Sequence, residues 1–130
     1  MIVLDASAAI DWLLQTDPGM DIEKRIFSRK ESVHAPHLLD VEVLQVLRRL
    51  SREGSISEKR ADQALNDLLL LRIARYPHFI FLSRIWQHRN NVSAYDAAYV
   101  ALAERLNAPL VTRDTRLSNA AGHLATIELF

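Results

Sequence analysis

Cysteine is absent from this sequence, lysine is rare, and only three glycines and four prolines interrupt 130 residues. Each scarcity excludes something. Without thiols there is neither a disulfide framework nor a thiolate zinc site, so an oxidising compartment is not signalled and a reducing cytoplasm suits the chain. Few Gly and Pro beside a 49% hydrophobic content exclude fibrous and disordered classes and fit one compact domain over residues 1–130. The longest apolar run, Ala97 to Ala103, is far too short to span a bilayer. The N-terminus also lacks the basic region and long apolar segment of a signal peptide, so a soluble protein is expected. Net charge is absent as well. Sixteen basic residues balance sixteen acidic ones, so any site for a polyanion must be local rather than a property of the whole surface.

What is present begins with Ile2-Val3-Leu4, a β-prone apolar run that stops at Asp5. Near-continuous apolar strands belong to parallel sheets covered on both faces, and ligands of such sheets bind at the carboxyl ends of the strands. The rest of the chain alternates accordingly. Helical spacing runs through Ala8 to Leu14, Thr16-Asp17-Pro18 starts a second helix reaching about Arg29, and Ser32 to Ala35 reads as a strand. Leu38 to Arg52 predicts a long amphipathic helix with Leu39, Val43, Val46, Leu47 and Leu50 on its apolar stripe. Ser55-Ile56-Ser57-Glu58 matches a capping box for a partner helix that buries Ala61, Leu65, Leu68 and Leu69. Further on, Leu71 to Arg75 predicts a strand, and Phe79 to Arg89 a helix with Leu82, Ile85 and Trp86 inward. Ser93 to Asn107 is apolar nearly all round, which predicts a helix buried on several sides. Pro109 to Thr112 and Ala125 to Leu129 complete the strands.

Three acids fall at comparable places. Asp5 and Asp114 follow strands, and Asp96 lies in the first turn of the most apolar helix. Each also has a purely structural reading, as a cap or a complement to a helix dipole. Glu42 is harder to explain that way, because it sits inside the apolar stretch Leu38 to Leu44, where a charge is costly unless paired or solvated. Asp40 and Glu42 point roughly 200° apart around a helix, so only one can face a given site, and periodicity alone does not choose.

The strand-Asp-x-Ser opening at Asp5 and Ser7, Leu39-Asp40-Val41-Glu42-Val43-Leu44, the segment Ser93 to Ala103, and Leu110-Val111-Thr112-Arg113-Asp114 resemble, in this order, the motifs of PIN-domain ribonucleases. The likeness is in particular to VapC-type toxins of bacterial toxin–antitoxin pairs. It implies a three-layer α/β/α fold with a central, mainly parallel sheet. It also implies an acidic quartet of Asp5, Glu42, Asp96 and Asp114, an RNA substrate, a homodimer and a cognate antitoxin. Some relatives carry another acid shortly after the last Asp; here Thr115, Arg116 and Leu117 follow, which leaves open whether one ion or two is held.

Converging carboxylates repel one another in a low-dielectric pocket, and a divalent cation resolves the repulsion. An all-oxygen donor set points to Mg²⁺ or Mn²⁺. On this reading Asp5 and Asp96 contact the metal and Asp114 completes its ligands or holds a bound water. Glu42 orients or deprotonates the attacking water. Ser7 and Thr112 are candidate hydrogen-bond partners of the ligands, and Arg113 and Arg116 candidate phosphate contacts. Two other classes compete. A phospho-aspartate phosphatase of the haloacid-dehalogenase type wants a second Asp where Ser7 stands and a Lys late in the chain, yet no Lys follows Lys59. A PIN-like module in RNA processing, or one without catalysis whose acids only cap helices, is the second.

Overall fold

The computed structural model describes residues 1–130 as five strands and seven α-helices. In chain order these are β1 (Ile2–Leu4), α1 (Ala6–Leu14), α2 (Asp17–Ser28), β2 (Val33–Pro36), α3 (Leu38–Arg52), α4 (Glu58–Leu70) and β3 (Ile73–Tyr76). A 3₁₀ turn at Phe79–Phe81 then precedes α5 (Leu82–Gln87), α6 (Ala94–Leu106), β4 (Leu110–Thr112), α7 (Thr115–Ser118) and β5 (Ile127–Leu129). All pairings are parallel, in the order β3-β2-β1-β4-β5. The expected sheet is thus wholly parallel, with β1 in its middle.

The order decides where a cleft can open. From β1 to β3 the chain steps outward on one side, and α1 packs there against α2, α3 and α4. From β3 it returns across the sheet to β4, and because crossovers between parallel strands are right-handed, the reversal sends α5 and α6 to the opposite face. α6 lies against β1, β2 and β4. The loops leaving β1 and β4 therefore diverge to opposite faces, and the gap between them is the switch point of the sheet.

Packing follows the apolar pattern. All three β1 residues are buried, as is every residue from Ala97 to Ala103 in α6, where four alanines let the helix approach the sheet. Burying each large aliphatic side chain contributes on the order of 1.5–3 kcal/mol. Gly19 brings α2 against α1 so closely that a Cβ there would stand 1.8 Å from the Asp11 carbonyl oxygen. α6 ends on Asn107 in the left-handed region (φ 49°), a conformation Asn tolerates. No helix is long and apolar enough to cross a membrane.

Three expectations are corrected. Leu82 and Trp86 face outward, 52% and 68% exposed; only Ile85 packs against the core, because the helix there is short and Phe81 and His88 take the buried positions. Leu69 is likewise 73% exposed; Leu68 is buried as expected and Ala61 and Leu65 are half-buried, while Ala64 takes the remaining inward position. The bounds differ too: Ser57, rather than Ser55, accepts the Arg60 backbone N–H, so the helix starts later; it runs to Leu70, and β3 occupies Ile73–Tyr76.

Candidate active site

Asp5 stands at the carboxyl end of the central strand and caps α1. Its Oδ1 accepts the Ala8 backbone N–H at 2.9 Å and the Ser7 hydroxyl at 2.6 Å, while its Oδ2 accepts the hydroxyl of Thr112 from β4. Three of its four acceptor positions are therefore filled, and one is left for something in the cleft. Ser7 and Thr112 bind onward. Ser7 Oγ accepts the Arg113 N–H and Thr112 Oγ1 the Asp114 N–H, both at 2.9 Å. The two hydroxyls stitch the end of β1 to the end of β4, which sets Asp5 beside Asp114.

Asp114 caps α7 through the Arg116 N–H at 2.9 Å. Asp96 occupies the first turn of α6, whose N-cap Ser93 accepts the Asp96 N–H at 3.1 Å. On α3, Asp40 is taken by Arg75 of β3 in a bidentate pair at 2.7 and 2.9 Å. That pair turns Asp40 away and leaves Glu42 facing the switch point.

Asp5, Glu42, Asp96 and Asp114 line one cleft of about 320 Å³, together with Ser7, Gln45 and Tyr99. Two clefts of similar size, one around Trp12 and Phe27 and one around Leu44 and Leu65, hold two acids and one arginine each, and no comparable excess of negative charge. Capping and cleft-lining are thus not alternatives here; Asp5 and Asp114 do both.

The acids feel one another. Burial pushes the Asp5 carboxyl up, against the hydrogen bonds from Ser7, Thr112 and Ala8, and the Asp96 charge adds to the rise. Burial also raises Glu42, opposed by a bond from Tyr99 and assisted by Asp96 and Asp5. Asp96 is raised by burial and by Asp114, with Ser93 and Arg116 pulling the other way. No three of the acids converge closely enough to make a finished cation cage. The donors that line the cleft are all oxygen, the kind of set that suits Mg²⁺ or Mn²⁺. Zinc, with its preference for His and Cys in a tight tetrahedron, does not fit, since neither residue lines the cleft.

Of the flanking arginines, Arg113 is engaged: its Nε donates to Asp11 at 2.7 Å and its guanidinium to the Phe130 carbonyl. Arg116 is held only by a loose ion pair, its Nε 3.6 Å from Asp114, with 93% of its side chain exposed. Tyr99 is the cleft residue that the sequence concealed. It was hidden inside an apolar run, and its one signal is general: a buried tyrosine hydroxyl needs a partner. The partner is Glu42, at 2.7 Å.

Comparison with known proteins gives this arrangement a family. The PIN domain model matches residues 2–123. Ribonuclease VapC9 of Mycobacterium tuberculosis is 45% identical over 119 residues, covering 92% of this chain and 90% of its own. Among solved structures, a Pyrobaculum aerophilum protein superposes with a TM-score of 0.70 at 24% identity, covering 97% of this chain and 81% of that one. VapBC2 from Rickettsia felis, bound to a DNA fragment from its promoter, gives 0.66 at 13% identity, covering 99% and 98%. The chain belongs to the PIN-domain family, in its VapC branch.

Proposed function

We propose that this chain is a divalent-metal-dependent endoribonuclease, the toxin of a toxin–antitoxin pair, acting in the cytoplasm as a homodimer of single-domain chains. The observation that carries the reading is the meeting of four acids from β1, α3, α6 and β4 in one cleft at the switch point of the sheet. The name of the VapC9 relative supports the ribonuclease assignment, and the VapBC2 assembly supports an antitoxin partner.

Asp5, Asp96 and Asp114 would hold one or two Mg²⁺ or Mn²⁺ ions. When bound, such an ion acidifies a coordinated water and stabilises charge on the phosphodiester. The chain's own residues do the rest. Ser7 and Thr112 fix the plane of the Asp5 carboxylate, so its open lone pair points into the cleft. Glu42, one oxygen bound by Tyr99, uses the other to accept a proton from the attacking water; a carboxyl raised by burial is a better base than an ordinary one. Arg116, exposed at the rim, is placed to contact an RNA phosphate. Arg113 serves from beneath by fastening the loop after β4 to Asp11.

The test is cleavage of RNA by the purified chain with Mg²⁺ or Mn²⁺, beside Asp5→Asn and Asp96→Asn. Metal-dependent cleavage should fall by at least a hundredfold in both variants, and undiminished cleavage in either would overturn the reading.

A further inference from the structure

Tyr99 is almost fully buried, 1% exposed, yet its hydroxyl reaches the wall of the cleft. It stands one turn after Asp96 on the same face of α6, and its bond to Glu42 Oε1 is the hydrogen bond that joins α6 to α3 across the cleft. We propose that Tyr99 is a positioning residue for Glu42, fixing which carboxylate oxygen is free to face the attacking water. The inference rests on the nuclease reading above and deepens it.

The geometry argues for this role over simple core filling. Glu42 is half-buried on a helix that offers it no other partner, so without the Tyr99 bond its side chain could rotate toward solvent along α3. Ring packing alone would be served by Phe, whose shape is the same without the oxygen. The hydroxyl is held far above its ordinary titration range by burial and by the Glu42 charge, so it remains a donor wherever the protein is folded. With Tyr99 donating to Oε1, the proton-accepting lone pairs that remain in the cleft are chiefly those of Oε2. The tyrosine touches neither substrate nor metal; it acts through Glu42.

The experiment is a double-mutant cycle of Tyr99→Phe and Glu42→Gln on the full chain, with a mixed-sequence fluorescent RNA as substrate in Mg²⁺ and the same RNA in EDTA as binding probe. Tyr99→Phe is expected to lower kcat by about 10–100-fold, the range found when an orienting partner is removed. KM, RNA affinity in EDTA and the melting temperature should stay close to wild type. In the Glu42→Gln background the same change should cost less than about twofold, because two residues acting as a unit are not additive. Tyr99→Phe with near-normal kcat, or with an equal loss in both backgrounds, overturns the inference while the nuclease reading stands. Full activity in Glu42→Gln overturns the role of Glu42 and the inference with it. A fall in melting temperature matched by equal losses in kcat and RNA binding would mark Tyr99 as structural only, and would also overturn it.

Discussion

Thr112, on β4, donates its hydroxyl to Asp5 on β1 while accepting the Asp114 N–H at 2.9 Å, so one small side chain ties two of the acids to each other. Thr112→Val keeps the shape and removes both bonds. Leaving a buried carboxylate oxygen unpaired costs roughly 1–3 kcal/mol. Mg²⁺ affinity should also fall by about 10–100-fold, the cost of removing a partner that orients a ligand. Urea denaturation and calorimetric Mg²⁺ titration check the two effects, and Thr112→Ser should restore both.

Mg²⁺ or Mn²⁺ should stabilise the fold at neutral pH. Asp5, Glu42 and Asp96 have carboxyls raised by burial, so the stability they contribute is present at low pH and lost as pH rises through their folded values. A cation bound at about 100 times its Kd returns roughly 2.7 kcal/mol. Melting curves should move upward with added metal at pH 7, move little at pH 4, and lose the response in Asp96→Asn.

The opposite sign applies at Glu104. Burial pushes its carboxyl up, but the bonds from Arg84 at 2.7 and 2.9 Å and from the Leu124 N–H at 2.8 Å, with the charges of Arg84 and His88, outweigh burial and hold it at about 2. A depressed carboxyl stabilises above its unfolded value, near 4.5, and the contribution disappears as pH falls from there toward 2. Acid-denaturation profiles of Glu104→Gln should lack this part of the slope, and the variant should be less stable than wild type at pH 7.

Gly19→Ala should destabilise the protein by about 1–3 kcal/mol, the usual cost of overpacking. The new Cβ meets backbone of α1, at 1.8 Å from the Asp11 carbonyl oxygen, so no side chain can rotate away to relieve it. Guanidinium midpoints measure the loss, and Gly54→Ala, where a Cβ would meet nothing within 4 Å, supplies a control for backbone strain alone at φ 76°.

Arg116→Ala should weaken RNA binding and reduce the dependence of log K on log salt by about 0.7, the value for one phosphate contact on a single strand. Arg113→Ala should instead lower stability, since its guanidinium already holds Asp11 and the Phe130 carbonyl. Anisotropy titrations across salt concentrations, beside melting curves, separate the two outcomes.

Much of this architecture is legible in the residues. β1 and α6 announce themselves because burial on several sides leaves an almost unbroken apolar record, and α3 falls at Leu38–Arg52 as its periodicity predicts. Periodicity fails where a stripe has two solutions. In α4 the predicted face runs through Leu69 where the structure buries Ala64, and in α5 six residues are too few to define a face. The cleft itself divides in the same way. Asp5, Asp96 and Asp114 are marked by where they stand along the chain, but the preference for Glu42 over Asp40 depends on Arg75, a residue of another strand. Tyr99 is invisible for a simpler reason: its ring belongs to the core and only its hydroxyl to the cleft.

The middle position of β1 in the sheet carries a consequence for synthesis. β1 is enclosed long after it is made, since it needs β2 on one side and β4, more than a hundred residues later, on the other. Until Thr112 and Asp114 have been added, the acids lie on separate, unassembled pieces of chain. The cleft is therefore assembled only once Asp114 has been made, more than a hundred residues after Asp5.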